Sequence, residues 1–236
     1  MKYTNFKKED IFLQENNRYN STMKRADAPT ITYSLIEWLD NRYDNKTITT
    51  EISVNTTFGT KIADVVVSNG HSIAYEVKSA FDTTKRLNAQ VNGFSEMFEY
   101  VYLVYWDGKY NLKGLNLPSN IGLIKAYWKD DKVCFGIVQD ARINRLATSF
   151  NIAPFLWKKE LRYFLGLKQQ KFKMSDDKDT LVELFSKNYG KRDSVRIFRY
   201  VLKNRFELGF SVFQKLKDLK AFRSNKSDIN YPLQYS

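Results

Sequence analysis

From Thr30 onward, Ile31, Leu35, Trp38 and Leu39 recur at helical spacing and predict an amphipathic helix over about 30–43, with Pro29 suited to its first turn. The apolar period then changes to two. Residues 48–54, 62–67 and 73–79 alternate or run apolar as strands do, with turns at Phe58-Gly59 and Asn69-Gly70, and predict an antiparallel meander. Across 83–98, Leu87, Val91, Phe94 and Met97/Phe98 form a helical stripe that leads into the apolar run 100–105. A helix joining two strands of one sheet is the crossover that parallel pairing requires. Residues 121–128 and 132–138 predict a hairpin turning at Asp130-Asp131. Beyond about residue 140 the strand pattern ends, and 152–167, 178–189 and 192 to about 219 carry helical periodicity.

The pattern as a whole predicts an α/β fold with a mixed sheet and an all-helical C-terminal region. Its expected parts are a polar lead-in (1–29), a core (30–140), a basic helical region (141–223) and a tail (224–236). The 43% hydrophobic content, with 17 Phe and 15 Tyr, is enough for a ring-rich interior. The first seventeen residues lack an apolar signal region, and no stretch reaches the roughly 18 apolar residues of a membrane span, so a soluble, cytoplasmic protein is expected.

Charge changes the picture once it is divided along the chain. Residues 1–150 hold 19 Lys+Arg against 17 Asp+Glu, whereas 151–236 hold 19 against 9, so the net charge of +12 is concentrated in the last third. A polyanionic partner, nucleic acid above all, is expected. Lys191, Arg192, Arg196, Arg199 and Lys203 recur at spacings of three and four and are the candidate backbone contacts; a solvated helix face is the bland alternative. The same helices could instead dock a protein partner. One cysteine, Cys134, and one histidine, His71, leave no disulfide framework and no Cys–His chemistry. Cys134 is expected to be a small buried residue, and His71 sits in a turn. Any metal would therefore be held by carboxylates, which favours Mg2+ or Mn2+.

Three charged residues interrupt the apolar strands: Asp64 in Ile-Ala-Asp-Val-Val-Val, and Glu76 and Lys78 in Ala-Tyr-Glu-Val-Lys. Burying such groups is costly unless they are paired or metal-bound. Side chains alternate along a strand, so Glu76 and Lys78 share a face. If Asp64 pairs directly opposite Glu76, the turn at Asn69-Gly70 has an odd loop of three or five residues, and the two carboxylates lie about 5 Å apart at Cβ. Two carboxylates can hold a magnesium ion that polarises a phosphoryl group and activates water, and a lysine beside them can stabilise developing charge. A structural ion-pair cluster on a half-exposed sheet is the alternative.

Ala63-Asp64, eleven intervening residues and then Glu76-Val77-Lys78 resemble the signature of the PD-(D/E)XK nuclease superfamily, with alanine in place of the proline. The order helix, meander, helix, strand is similar to that superfamily's restriction-endonuclease-like αβββαβ core. Residues 76–91, from Glu76-Val77-Lys78-Ser79 through Asp82-Thr83, Arg86-Leu87 and Gln90-Val91, resemble a block found in a poorly characterised bacterial branch. The resemblance implies a Mg2+-dependent (endo)deoxyribonuclease of bacterial or phage origin, serving DNA processing or defence against foreign DNA. It implies Asp64 and Glu76 as metal ligands, Lys78 as the group assisting the attacking water, and Gln90 as a supporting polar residue. It also suggests an additional acid, either Glu37 on the first helix or Glu51 on the first strand. Arg86 is a candidate phosphate contact or the ion-pair partner of Asp82. A catalytically silent nucleic-acid-binding or regulatory subunit on the same fold is the rival reading.

Overall fold

The computed structural model describes residues 25–110 and 112–216, so the expected tail and nearly all of the lead-in lie outside the described residues. Helix α1 (Ala28–Arg42) opens the fold; the Asp27 carboxylate accepts from the Thr30 N–H at 2.9 Å, satisfying one of the amides a helix start leaves unpaired. Strands β1 (Thr47–Thr56), β2 (Gly59–Ser68) and β3 (Ser72–Lys78) follow as the antiparallel meander. Helix α2 (Leu87–Ser95) then crosses to β4 (Tyr100–Trp106), which runs parallel to β3. Strand β5 (Gly122–Lys129) is parallel to β4, and β6 (Lys132–Gln139) returns antiparallel through a tight turn. That turn places Asp130 and Asp131 at φ 50° and 58°, the left-handed pair a two-residue hairpin demands.

The result is one mixed sheet of six strands in the order β1-β2-β3-β4-β5-β6, an α/β architecture as the sequence pattern predicts. The C-terminal region is helical: α3 (Ser149–Ile152), a 3-10 turn at Ala153–Phe155, α4 (Lys158–Leu167), α5 (Lys178–Asn188) and α6 (Lys191–Leu216). The periodic stretch 152–167 is therefore broken into separate pieces. Pro154 and the extended Leu156 interrupt it, because proline has no N–H to continue a helical ladder. No helix among the described residues is long and apolar enough to cross a membrane.

Both faces of the sheet are covered. On one, Ile31, Leu35 and Leu39 of α1 pack on Val65, Tyr75, Val77 and Val104. On the other, Leu87, Val91 and Phe94 of α2 join Phe198, Leu202 and Phe206 of α6 over Val66, Ala74 and Leu103. Helix α6 thus packs onto the sheet itself. All seven residues of β3 are buried, which is why Glu76 and Lys78 within it demand an account.

A third cluster joins α4, α5 and α6 through Leu161, Leu165, Phe185 and Val201. Within it Arg205 pairs with Glu160, which also accepts from the Trp157 N–H at 2.7 Å; the Arg205 guanidinium lies 4.1 Å from the Trp157 ring centre. Leu161 and Phe164 are core, and the Trp157 face is occupied by Arg205. Cys134 is half-buried rather than buried, because it lies on the edge strand β6.

Candidate active site

The β2–β3 turn is a three-residue loop. Ser68 pairs with Ser72, Asn69 donates its N–H to the His71 carbonyl at 3.2 Å, and Gly70 supplies φ 97°. The register then runs to Val65 opposite Tyr75, and continuing it places Asp64 opposite Glu76. At that point the ladder opens. The Val77 N–H donates instead to Asp64 Oδ2 at 2.7 Å, so the carboxylate fills the fork between the two strands. Alternation puts Asp64, Glu76 and Lys78 on the face covered by α2 and α6.

Glu76 is 1% exposed. Its Oε1 accepts from Lys78 Nζ at 2.5 Å, while its Oε2 is buried and meets no hydrogen-bond partner among the described residues; the Gln90 side chain also favours the ionised carboxyl. Lys78 Nζ also donates to Gln90 Oε1 at 3.2 Å, which brings the first turns of α2 into the cluster. Burial pushes the Glu76 carboxyl up to about 7, and the neighbouring Asp64 pushes the same way against Lys78. Burial also raises Asp64, opposed by the Val77 N–H and Lys78 and reinforced by Asp82 and Glu51. A single lysine therefore leaves the two carboxyl groups short of positive charge. An orphaned carboxylate oxygen beside a second carboxylate fits a hard divalent cation. Among the described residues no three His, Cys, Asp or Glu side chains gather to hold a metal, and magnesium needs only one or two carboxylates, with water completing its shell.

The two candidates for an additional acid part company here. Glu37 faces a groove beside Trp38, Trp128 and Phe135, on the α1 side of the sheet, and is not near Asp64 and Glu76. Glu51 is opposite Asp64 by the β1–β2 register, so Glu51, Asp64 and Glu76 occupy one line across three strands. Its φ of 57° is the left-handed region, which a glutamate adopts at a cost of about 1 kcal/mol. The ion pair considered between Asp82 and Arg86 does not form. Asp82 instead accepts from the Ser79 N–H at 2.8 Å and the Ser79 hydroxyl at 2.5 Å, and Arg86 is exposed at the start of α2.

One contributor carries no sequence signal. The Tyr110 hydroxyl proton is shared between the Ser79 carbonyl at 2.5 Å and the Asp82 carbonyl at 3.0 Å, which fixes the backbone immediately after Lys78. Tyr110 lies some thirty residues away along the chain, past a turn, and only the fold brings it there. At the other end of β3, Arg199 forms a two-pronged pair with Glu99, which also accepts from the Ser72 N–H at 3.0 Å. Lys203 donates to Asn45 at 2.7 Å, and Lys191 to the Arg145 carbonyl. These three of the five expected backbone contacts thus have internal partners, whereas Arg192 and Arg196 are exposed with no ion-pair partner among the described residues.

Residues 21–231 match the family model described as bacteriophage P4 protein cII. The chain belongs to that family. Protein cII of Enterobacteria phage P4 is 30% identical over 159 residues, which is 66% of this chain and 60% of that protein. The match therefore spans less than two thirds of the cII relative's length. A protein of unknown function from Silicibacter pomeroyi is similar at 17% identity and a TM-score of 0.38, covering 65% of this chain and all of that one.

Proposed function

We propose that this cII-family chain is a metal-dependent nuclease of PD-(D/E)XK type, acting on DNA. The observation that supports this most directly is the buried Glu76 oxygen without a hydrogen-bond partner among the described residues, set beside Asp64 and on one face with Lys78. Asp64 and Glu76 would hold Mg2+ or Mn2+, which when bound would polarise a phosphodiester and acidify water. The chain's own residues do the rest. The Val77 N–H and the fork between β2 and β3 orient the Asp64 carboxylate. Gln90 and Glu76 hold the Lys78 ammonium where it can steady negative charge on a phosphoryl oxygen. Tyr110 and Asp82 fix the strand end that carries Lys78.

The experiment is cleavage of supercoiled and linear DNA, single-stranded DNA and RNA, with Mg2+ and with Mn2+, alongside Asp64→Ala and Lys78→Ala. Metal-dependent cleavage lost in both variants supports the proposal. One observation favours a second reading, a silent nucleic-acid-binding subunit: the 2.5 Å Lys78–Glu76 pair would hold the strand end together with no metal at all. Binding without cleavage under every condition, with no metal-induced rise in melting temperature, would select it.

A further inference from the structure

At the amino ends of β3 and β4 an open groove of about 780 Å³ runs between the start of α6 and the extended segment before α3. Arg145, Lys191, Arg192, Arg196 and Arg199 line it, with Glu99 as the one carboxylate among the lining residues. That carboxylate is already committed: it binds the Arg199 guanidinium in two-pronged fashion and the Ser72 N–H. The Arg199 hydrogen bonds, with those of Ser72 and His71, outweigh its burial and hold it below the ordinary glutamate range. Glu99 therefore anchors the floor and leaves the net charge of the groove strongly positive. Asn144, buried in the same floor, donates its amide to the Phe98 carbonyl at 3.0 Å, which fixes the segment carrying Arg145 to the start of β4.

We infer that this groove binds the sugar-phosphate backbone of a nucleic acid, remote from the acidic centre. Three observations carry the inference. The side chains that line the groove are arginines out of proportion to the composition: four of the chain's 12 arginines but only one of its 26 lysines. Solubility would be served by either residue, whereas the planar guanidinium fork matches phosphate oxygens two at a time. Arg192, Arg196 and Arg199 fall on one side of α6 at steps of four and three, about 6 Å and 4.5 Å along the axis. That ladder of cations suits a polymer whose charges recur at short, regular intervals. Arg145, Arg192 and Arg196 are exposed and have no ion-pair partner among the described residues.

The place of the groove adds a consequence. Glu99 bonds Ser72 at the start of β3, and Lys78 ends that strand six residues on, about 20 Å away. Both lie on the side of the sheet covered by α2 and α6. A duplex spanning the two would advance roughly six base steps at about 3.4 Å each. The groove would thus hold the strand well to one side of the acids, and exposed Arg86 stands at their end. The inference rests on the nuclease reading for the class of polymer and on nothing else in it.

The test is fluorescence anisotropy of the full chain in EDTA, with labelled 30-nucleotide single strands and 30-base-pair duplexes titrated across salt. R192Q/R196Q is expected to weaken binding about tenfold near 0.1 M salt. It should also flatten the slope of log affinity against log salt by about two, one for each phosphate no longer neutralised. K129Q/K132Q, which removes two exposed lysines at the β5–β6 turn, should leave that slope unchanged. Equal losses from both pairs, or a slope untouched by R192Q/R196Q, would overturn the inference. So would a wild-type chain that ignores both oligonucleotides and binds poly-glutamate. Chelation keeps the outcomes separate: lost binding in EDTA indicts the groove, while binding without cleavage in Mg2+ indicts the nuclease reading.

Discussion

In metal-free protein, Glu76→Gln is expected to stabilise the fold at alkaline pH. The Glu76 carboxyl is pushed from an ordinary 4.5 up to about 7 by burial and by Asp64, and its side chain is 2% exposed. A carboxyl with a raised folded pKa binds its proton more tightly folded than unfolded. The native state therefore loses stability as pH climbs from 4.5 to about 7, and loses no more beyond. At about 1.4 kcal/mol per pH unit, that interval costs roughly 3 kcal/mol at pH 8.5 and under about 1 kcal/mol at pH 5. Glutamine imitates the neutral acid: its oxygen still accepts from Lys78, and its amide can point to Asp64. For a protein of this size the gain corresponds to a melting temperature higher by about 6–12 °C at pH 8.5, with little change at pH 5. Scanning calorimetry in EDTA at the two pH values measures it. Added Mg2+ should then raise the melting temperature of the wild type and leave the variant unmoved. A variant destabilised equally at both pH values would refute the reasoning, since the carboxylate would then not be held against its own ionisation.

Tyr110→Phe removes the hydroxyl that ties Ser79 to Asp82; it should cost about 1 kcal/mol in urea unfolding and lower the cleavage rate while leaving substrate affinity unchanged. Glu160→Gln removes the charge of the carboxylate that pairs with the buried Arg205 guanidinium, and a loss of about 3–5 kcal/mol is expected by the same assay. Glu99 has a lowered pKa, so its contribution is present above the unfolded value near 4.5 and is lost as pH falls through the folded one. Glu99→Gln should accordingly lower the melting temperature at pH 7 and narrow its gap from the wild type below about pH 4, which a pH series of thermal melts would show.

Register was legible because side chains in strands alternate and hairpin loops come in few lengths. Asp64, Glu76 and Lys78 are three charges in apolar runs, and pairing the two acids requires an odd loop of three or five residues, of which the structure has the three, Asn69–His71. Gln90 could be placed by resemblance, and it does meet Lys78. Long-range packing was not legible. No periodicity tells which side of a sheet a helix will cover, so Glu37 and Glu51 looked equivalent until α1 took the face away from the acids. Charge counting found the basic last third but not its internal use, because Arg199 and Lys203 meet partners a hundred or more residues away. Asp82 and Arg86 sit four apart, yet the chain between them is a turn rather than a helix, so helical spacing did not apply.

The three-residue loop between β2 and β3 also limits how this protein can change length. With β2 held by β1 and the hairpin keeping a three-residue loop, removing or inserting one residue at Asn69–His71 would slide β3 by a single step and turn Glu76 and Lys78 toward α1, away from Asp64. A two-residue change would keep the face but break the opposition of the two acids. Insertions elsewhere on the surface face no such arithmetic: the connection from β4 to β5 reaches the end of β3 through the Tyr110 hydroxyl and sets no strand register there. Within a lineage that keeps its acids working, gaps and insertions should therefore accumulate in that connection and be absent from the tiny hairpin loop.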